Sequence, residues 1–230
     1  MIVAIHQPNY MPWLGFFNKM MNSDIFVLLD NVKHSKSSFT HRNKIKANGN
    51  ALLLSIPLIN KESLIDELLI FEPEVNISKH WRAIQTNYKK ASNWEFMSEE
   101  LESIFNRPWN KLVDLNIEII KLIKEKLNIK TEIIIASELK GINGEGSDRN
   151  MVICQSLGAK IYLSGVGAKA YNDENAFNKK GIKIIYNNFK HPTYPQIEKK
   201  FLSKLAAIDL LFNCGKNSVN IIQSGFSIPK

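Results

Sequence analysis

Residues 6 to 10 read "HQPNY" and follow directly on the apolar run "MIVAI". An imidazole, a carboxamide and a phenol thus stand where a short strand would end, with Pro8 and Pro12 stiffening the turn and Trp13 just beyond. In a functional reading His6 is a general base titrating near cellular pH, Gln7 aligns a carbonyl or hydroxyl, and Tyr10 or Trp13 stacks on a ring. A satisfied, partly buried histidine in a rigid turn is the plainer alternative.

Further polar clusters follow other apolar runs. "IFVLL" ends at Asp30, which can orient His6, hold a metal, bind a sugar hydroxyl or cap its turn. Behind it "VKHSKSSFTHRNKIK" carries Lys33, His34, Lys36, His41, Arg42, Lys44 and Lys46. Within that run Arg42, Asn43 and Lys44 suit a diphosphate clamp, unless the whole run is a solvated face. "TEIIIAS" leads into a glycine-rich loop in which Gly141, Gly144 and Gly146 precede Ser147, the expected N-cap of a helix that starts at Asp148 and stops at Gly158. Such a loop can expose N–H groups to an anion, with Arg149 adding charge, but its spacing is neither the dinucleotide fingerprint nor the P-loop. "IYLSGVGAKAY" sets Ser164, Gly165 and Gly167 between a strand and a segment holding Tyr171. Glycines there serve either close approach of a ligand or tight strand-to-helix packing. Finally, "FKHPTYPQ" supplies His191, Tyr194 and Gln196, echoing the first cluster, so the two loops are expected to face each other across one cleft.

These clusters need elements to hold them. Short β-branched or leucine-rich runs occur at residues 2–5, 25–29 and 51–56 and near 131, 159 and 182. The last three lack strict alternation, the pattern of strands covered on both faces. Strands separated by helical stretches imply crossovers, hence an α/β fold with a mostly parallel, Rossmann-like sheet flanked by helices. In such a sheet ligands bind outside the carboxyl ends of the strands. Residues 79–127 read as three helices, a helical insertion or lid, the last with a buried stripe of Leu112, Leu115, Ile119, Leu122, Ile123 and Leu127. Another helix is expected within 201–215, capped by Gly215. No linker-like composition interrupts the chain, so residues 1–230 are read as a single α/β domain.

Composition narrows the classes. The chain carries 30 Lys and Arg against 22 Asp and Glu, a net charge of +8, which favours anionic partners without choosing among them. The two cysteines are too far apart for a disulfide framework or zinc knuckle, and the five histidines show no ligand spacing, so no metal site is expected. No apolar run approaches the ~20 residues of a membrane span, and the start lacks a signal peptide's basic region, so a cytoplasmic location is expected.

Taken in order, "HQPNYMPWLGFFNKM", "FVLLDNV", "RNKI", "LSIPL", "LGAKIYLSGVGAKAY", "FKHPTYPQ" and "LAAIDLLFNCG" resemble the WbqC-like family of bacterial proteins over nearly the whole chain. The resemblance implies a role alongside the genes of O-antigen and other surface polysaccharides, with a transferase-like part in sugar modification. It highlights His6, Gln7, Pro8, Tyr10, Pro12, Trp13, Asp30, Arg42, Asn43, Ser164, Gly165, Tyr171, His191, Pro192, Tyr194, Gln196, Asp209 and Gly215. The leading expectation is therefore an enzyme that transfers an acyl or aminoacyl group to an amino sugar carried on a nucleotide diphosphate. His6 or His191 would be its base, Gln7, Ser164 or a backbone N–H its carbonyl donor, and Arg42 with Lys44 its diphosphate grip. The layout is also loosely similar to nucleotidylyltransferases of the HIGH-motif fold, although "HQPNYMPWLG" lacks their second histidine. A third class, a non-catalytic protein binding an anion, would need a continuous basic stripe; no nucleic-acid module is present and no nucleic-acid partner is expected. The residues identify no cofactor.

Overall fold

The computed structural model describes residues 1–35, 37–198 and 200–228, so Lys36 of the basic run lies outside the described residues. In chain order its elements are β1 (Ile2–His6), α1 (Leu14–Met21), β2 (Ile25–Leu28), β3 (Arg42–Ala47), β4 (Asn50–Ser55), α2 (Pro73–Tyr88), α3 (Ser98–Phe105), α4 (Leu112–Lys126), β5 (Glu132–Ile135), α5 (Gly146–Ser156), β6 (Ile161–Gly165), α6 (Glu174–Lys179), β7 (Lys183–Asn187), α7 (Ala207–Cys214) and α8 (Ser218–Gln223).

Five strands form one sheet in the order β5-β2-β1-β6-β7, and every neighbouring pair is parallel. The chain thus runs outward from β1 to one edge, then returns to the other side of β1 and runs outward again. Side chains alternate between two apolar layers. Ala4, Phe26, Leu28 and Leu163 join the larger one with α1, the helical segment α2–α4, α7 and α8. Val3, Ile5, Val27 and Tyr162 join the smaller one with α5 and α6. Opposite faces are what right-handed crossovers require when the direction of travel reverses.

Three expectations about elements change. The run at 51–56 does form a strand, but outside the parallel sheet: β4 pairs antiparallel with β3. Asn48 and Gly49 both adopt positive φ, at 48° and 72°, which makes a two-residue hairpin turn of the type that Asn-Gly favours. The C-terminal helix is shorter than expected and starts only at Ala207. Upstream of it, side chains take the backbone groups a helix would use: Gln196 Nε2 donates to Leu202 O, Leu202 N–H donates to Gln196 Oε1, and Lys204 N–H donates to His191 Nε2. The helical segment begins earlier than expected, at Pro73, whose fixed φ suits a first turn. The α4 stripe is buried throughout, from Leu112 to Leu127.

One buried carboxylate ties the distant pieces together. Asp209 in the first turn of α7 is fully buried and accepts from Tyr88 Oη, Tyr194 Oη and Gln196 Nε2, each at 2.8 Å. Burial raises its pKa, while those three donors and nearby Lys46 favour the ionised form. Asp209→Ala leaves the buried hydroxyls of Tyr88 and Tyr194 without their acceptor and should lower stability by about 3 kcal/mol in urea unfolding, with Asp209→Asn losing less.

Candidate functional site

In an open parallel sheet the crevice opens where strand order reverses, because the flanking helices there leave for opposite faces. That point lies between β1 and β6. At their carboxyl ends sits a cleft of about 370 Å³. Ile5, Leu29, Tyr162 and Ala168 make its apolar walls, and His6, Gln7, Lys19, Asn150, Ser164 and Tyr171 bring polar groups to it. Another hollow, of about 510 Å³ between Met21, Asn128 and Gln223, also has polar lining but lies beside Asp24 and Thr131, which precede β2 and β5, at the amino-terminal end of the sheet.

His6 ends β1, and its Nδ1 lies 3.0 Å from the carbonyl oxygen of Gln7. A carbonyl only accepts, so Nδ1 carries the hydrogen and Nε2 keeps its lone pair. The ring stands edge-on to Phe16 at 5.0 Å. Burial, and then the neighbouring Lys19, push the imidazole down to about 3, below the near-neutral value expected from sequence. His6 is therefore a neutral base throughout the physiological range.

Lys19 was not among the residues picked out from the sequence. Its side chain is only 4% exposed, donates from Nζ to Ile5 O at 2.8 Å and lies over the Phe26 ring at 5.7 Å. Among the described residues no carboxylate pairs with it. Burial pulls the amine down to about 7. A signal was present: "LGFFNKMM" is apolar around the whole helix, a helix of that kind is buried on all sides, and a lysine inside it is buried too.

The opposite wall is built by the turn after β6. Ser164 is 1% exposed and its Oγ accepts from Asn172 Nδ2 at 3.0 Å. Asn150 on α5 is buried with its Oδ1 unpartnered. A Cβ built on Gly165 or Gly167 meets no atom within 4 Å, and neither residue has positive φ. Neither packing nor backbone strain accounts for glycine at these two positions.

Apart from Lys44, the remaining expected residues bond or pack within the frame. Asp30 receives Ser137 N–H at 2.9 Å and Ser137 Oγ–H at 2.6 Å, which joins the β2 end to the loop after β5 instead of orienting His6. Tyr10 is wholly buried, with Oη 2.7 Å from His80 Nδ1. Trp13 covers Gly15 and meets Phe189 edge-on at 5.6 Å. Asn43 donates to Met11 O at 2.6 Å and accepts from Lys44 N–H, Arg42 donates to Ser37 O, and Lys44 lies on an exposed position of β3. Ser147 is inside the first turn of α5, whose N-cap is Glu145, and its Oγ accepts from Asp173 N–H. Arg149 donates to Gly144 O and Asn31 O. His191 has both ring nitrogens on backbone partners, Pro192 O and Lys204 N–H, and is packed among Phe189, Tyr194 and Phe201. Tyr194 and Gln196 belong to the Asp209 cluster. Thus His6, Gln7, Ser164, Gly165 and Tyr171 share the cleft, whereas the "FKHPTYPQ" loop meets the first loop through Trp13 and Phe189. No group of three or more His, Cys, Asp or Glu suited to a metal ion occurs among the described residues. No helix among them is long and apolar enough to cross a membrane.

The chain is 28% identical over 226 residues, 96% of its own length and 97% of the relative's, to a Mycobacterium tuberculosis protein described as "Uncharacterized protein Rv1507c". No solved structure matches it. The profile of the WbqC-like protein family matches residues 7–221, from the second residue of the His6 loop through α7 into α8, and on that match the chain belongs to the WbqC-like protein family.

Proposed function

We propose that the cleft between β1 and β6 is the reaction site of a transferase of surface-polysaccharide (O-antigen) assembly, which passes an acyl or aminoacyl group to the amine of a nucleotide-linked amino sugar. The observation that carries this reading is the pairing of an unprotonated imidazole nitrogen, His6 Nε2, with a facing turn whose glycines have no structural reason to be glycine. Attack on an acyl carbonyl forms the new N–C bond and breaks the bond to the donor's leaving group. The amine's proton passes to His6 Nε2 and then to the leaving group. A substrate anion beside the ring strengthens this base, since an opposite charge favours imidazolium. Close approach to the backbone at Gly165 and Gly167 supplies room for the carbonyl oxygen and N–H donors for its developing charge. Gln7, with Oε1 tied to Thr40 at 3.5 Å, orients the acceptor. A cleft of about 370 Å³ sits at the small end of ligand sites and suits the reacting end of a sugar nucleotide better than the whole molecule. The diphosphate then extends outward past Tyr171, which is 60% exposed.

Two outcomes follow. His6→Ala should lose turnover ~100-fold or more in a donor–acceptor assay while retaining the parent's circular dichroism and melting temperature within a few degrees; in the parent, the His6 ring should read as neutral by NMR at pH 5, where an ordinary histidine is protonated. Gly167→Leu should fold as the parent does, because a Cβ there meets no atom within 4 Å and φ is not positive, yet crowd the cleft that Gly167 lines and cut kcat/KM at least about tenfold. Normal turnover in Gly167→Leu would remove the β6 turn from the substrate's path.

A further inference from the structure

Among the described residues Lys19 has no counter-ion. Desolvating an ammonium is costly unless it is paired, and here its hydrogen-bond partner is a single backbone carbonyl, Ile5 O. Asn150 also lines this cleft, and its buried carbonyl oxygen has no donor among the described residues. A buried cation and a buried acceptor left incomplete in the same concavity describe what its occupant must bring. Among the described residues, the groups that share the cleft or pack on Lys19 carry no compensating charge: His6 comes from β1, Phe26 from β2, and Tyr162 and Tyr171 from the β6 side.

We propose that the cleft receives a singly charged oxyanion of the substrate, a carboxylate or a phosphodiester with an N–H or O–H donor nearby, which pairs with Lys19 while the donor meets Asn150, and that Lys19 takes up a proton as the anion enters. The described residues that line the cleft include one cation and no carboxylate, which sets the charge at one. Burial pulls the amine down to about 7, and an adjacent anion raises it again, so the amine gains a proton as the anion arrives. This deepens the transfer reading by naming the substrate's recognition group, and Lys19 acts as a binding group, not as the base.

The test follows the 13Cε resonance of Lys19, assigned by its loss in Lys19→Met, through a pH titration of the full chain with sodium acetate, with sodium dimethyl phosphate, or with sodium chloride at matched ionic strength. One of the two oxyanions should raise the apparent pKa of Lys19 by at least about one unit, a tenfold preference for the charged form, and whichever does so names the source of the anion. Lys19→Met should bind that anion at least tenfold more weakly while folding well. Its melting temperature at pH 6 should exceed the parent's, because it lacks a desolvated charge; the sign follows from a folded-state pKa below the unfolded value, so the parent regains stability as pH rises from about 7 toward 10.5. Lys19→Arg should keep anion binding without proton uptake. The inference is overturned if neither oxyanion moves the Lys19 titration beyond chloride, or if Lys19→Met binds as the parent does. Anion binding by a protein that transfers nothing leaves this inference standing and removes the transfer reading, whereas full turnover by Lys19→Met does the reverse.

Discussion

The constraint on which the molecule rests is the parallel pairing of β1 on both of its edges, to β2 on one side and β6 on the other. A strand so enclosed has its backbone groups satisfied and both faces covered. Its carboxyl end is then where the next helix must choose a face. Because α1 leaves toward one layer and the helices around β6 occupy the other, a gap opens above His6. The same geometry returns Lys19, on the helix that follows, to the backbone of Ile5, so the strand and the amine are one local unit.

Around that unit, buried amides do the positioning. Asn116 on α4 is fully buried and donates to Pro8 O and Thr40 O, both at 2.8 Å, while Asn43 on β3 donates to Met11 O and holds a residue whose φ is +42°. The loop after β1 is thereby pinned from the helical segment and from the hairpin, and His6 and Gln7 gain a rigid base without spending their own side chains on it. Lys46 completes the hairpin's attachment by donating to Lys200 O. Polar residues of this kind are expensive to bury singly, and their value here is that each satisfies backbone that no ladder reaches.

What the sequence disclosed follows from the range of the interactions involved. Strand and helix patterns are local, and the apolar runs at 2–5, 25–29, 131–135 and 159–165 and the α4 stripe all lie where patterning placed them. The hairpin had a local mark as well, the Asn48-Gly49 pair, which the basic character of β3 obscured. The polar clusters were harder to sort, because a histidine flanked by prolines looks the same whether its ring nitrogens face a cleft or a backbone. His6 and His191 each bond the carbonyl of the next residue, and only the tertiary arrangement distinguishes the Nε2 that is left with a lone pair from the one that accepts Lys204 N–H. Asp209, Tyr88, Tyr194 and Gln196 are separated by up to 121 residues, a distance at which no pattern in one sequence reveals a hydrogen bond.

An unpaired amine in a dry position gives relatives of this chain a chemical label. Drift at such a site has a preferred direction, toward methionine or leucine, because any uncharged occupant relieves the fold. A lineage in which this amine binds an anion, as proposed above, must resist that drift; one in which it binds nothing has no reason to. The identity of the residue aligned with Lys19 therefore separates descendants that keep this chemistry from those that have retained only the shape.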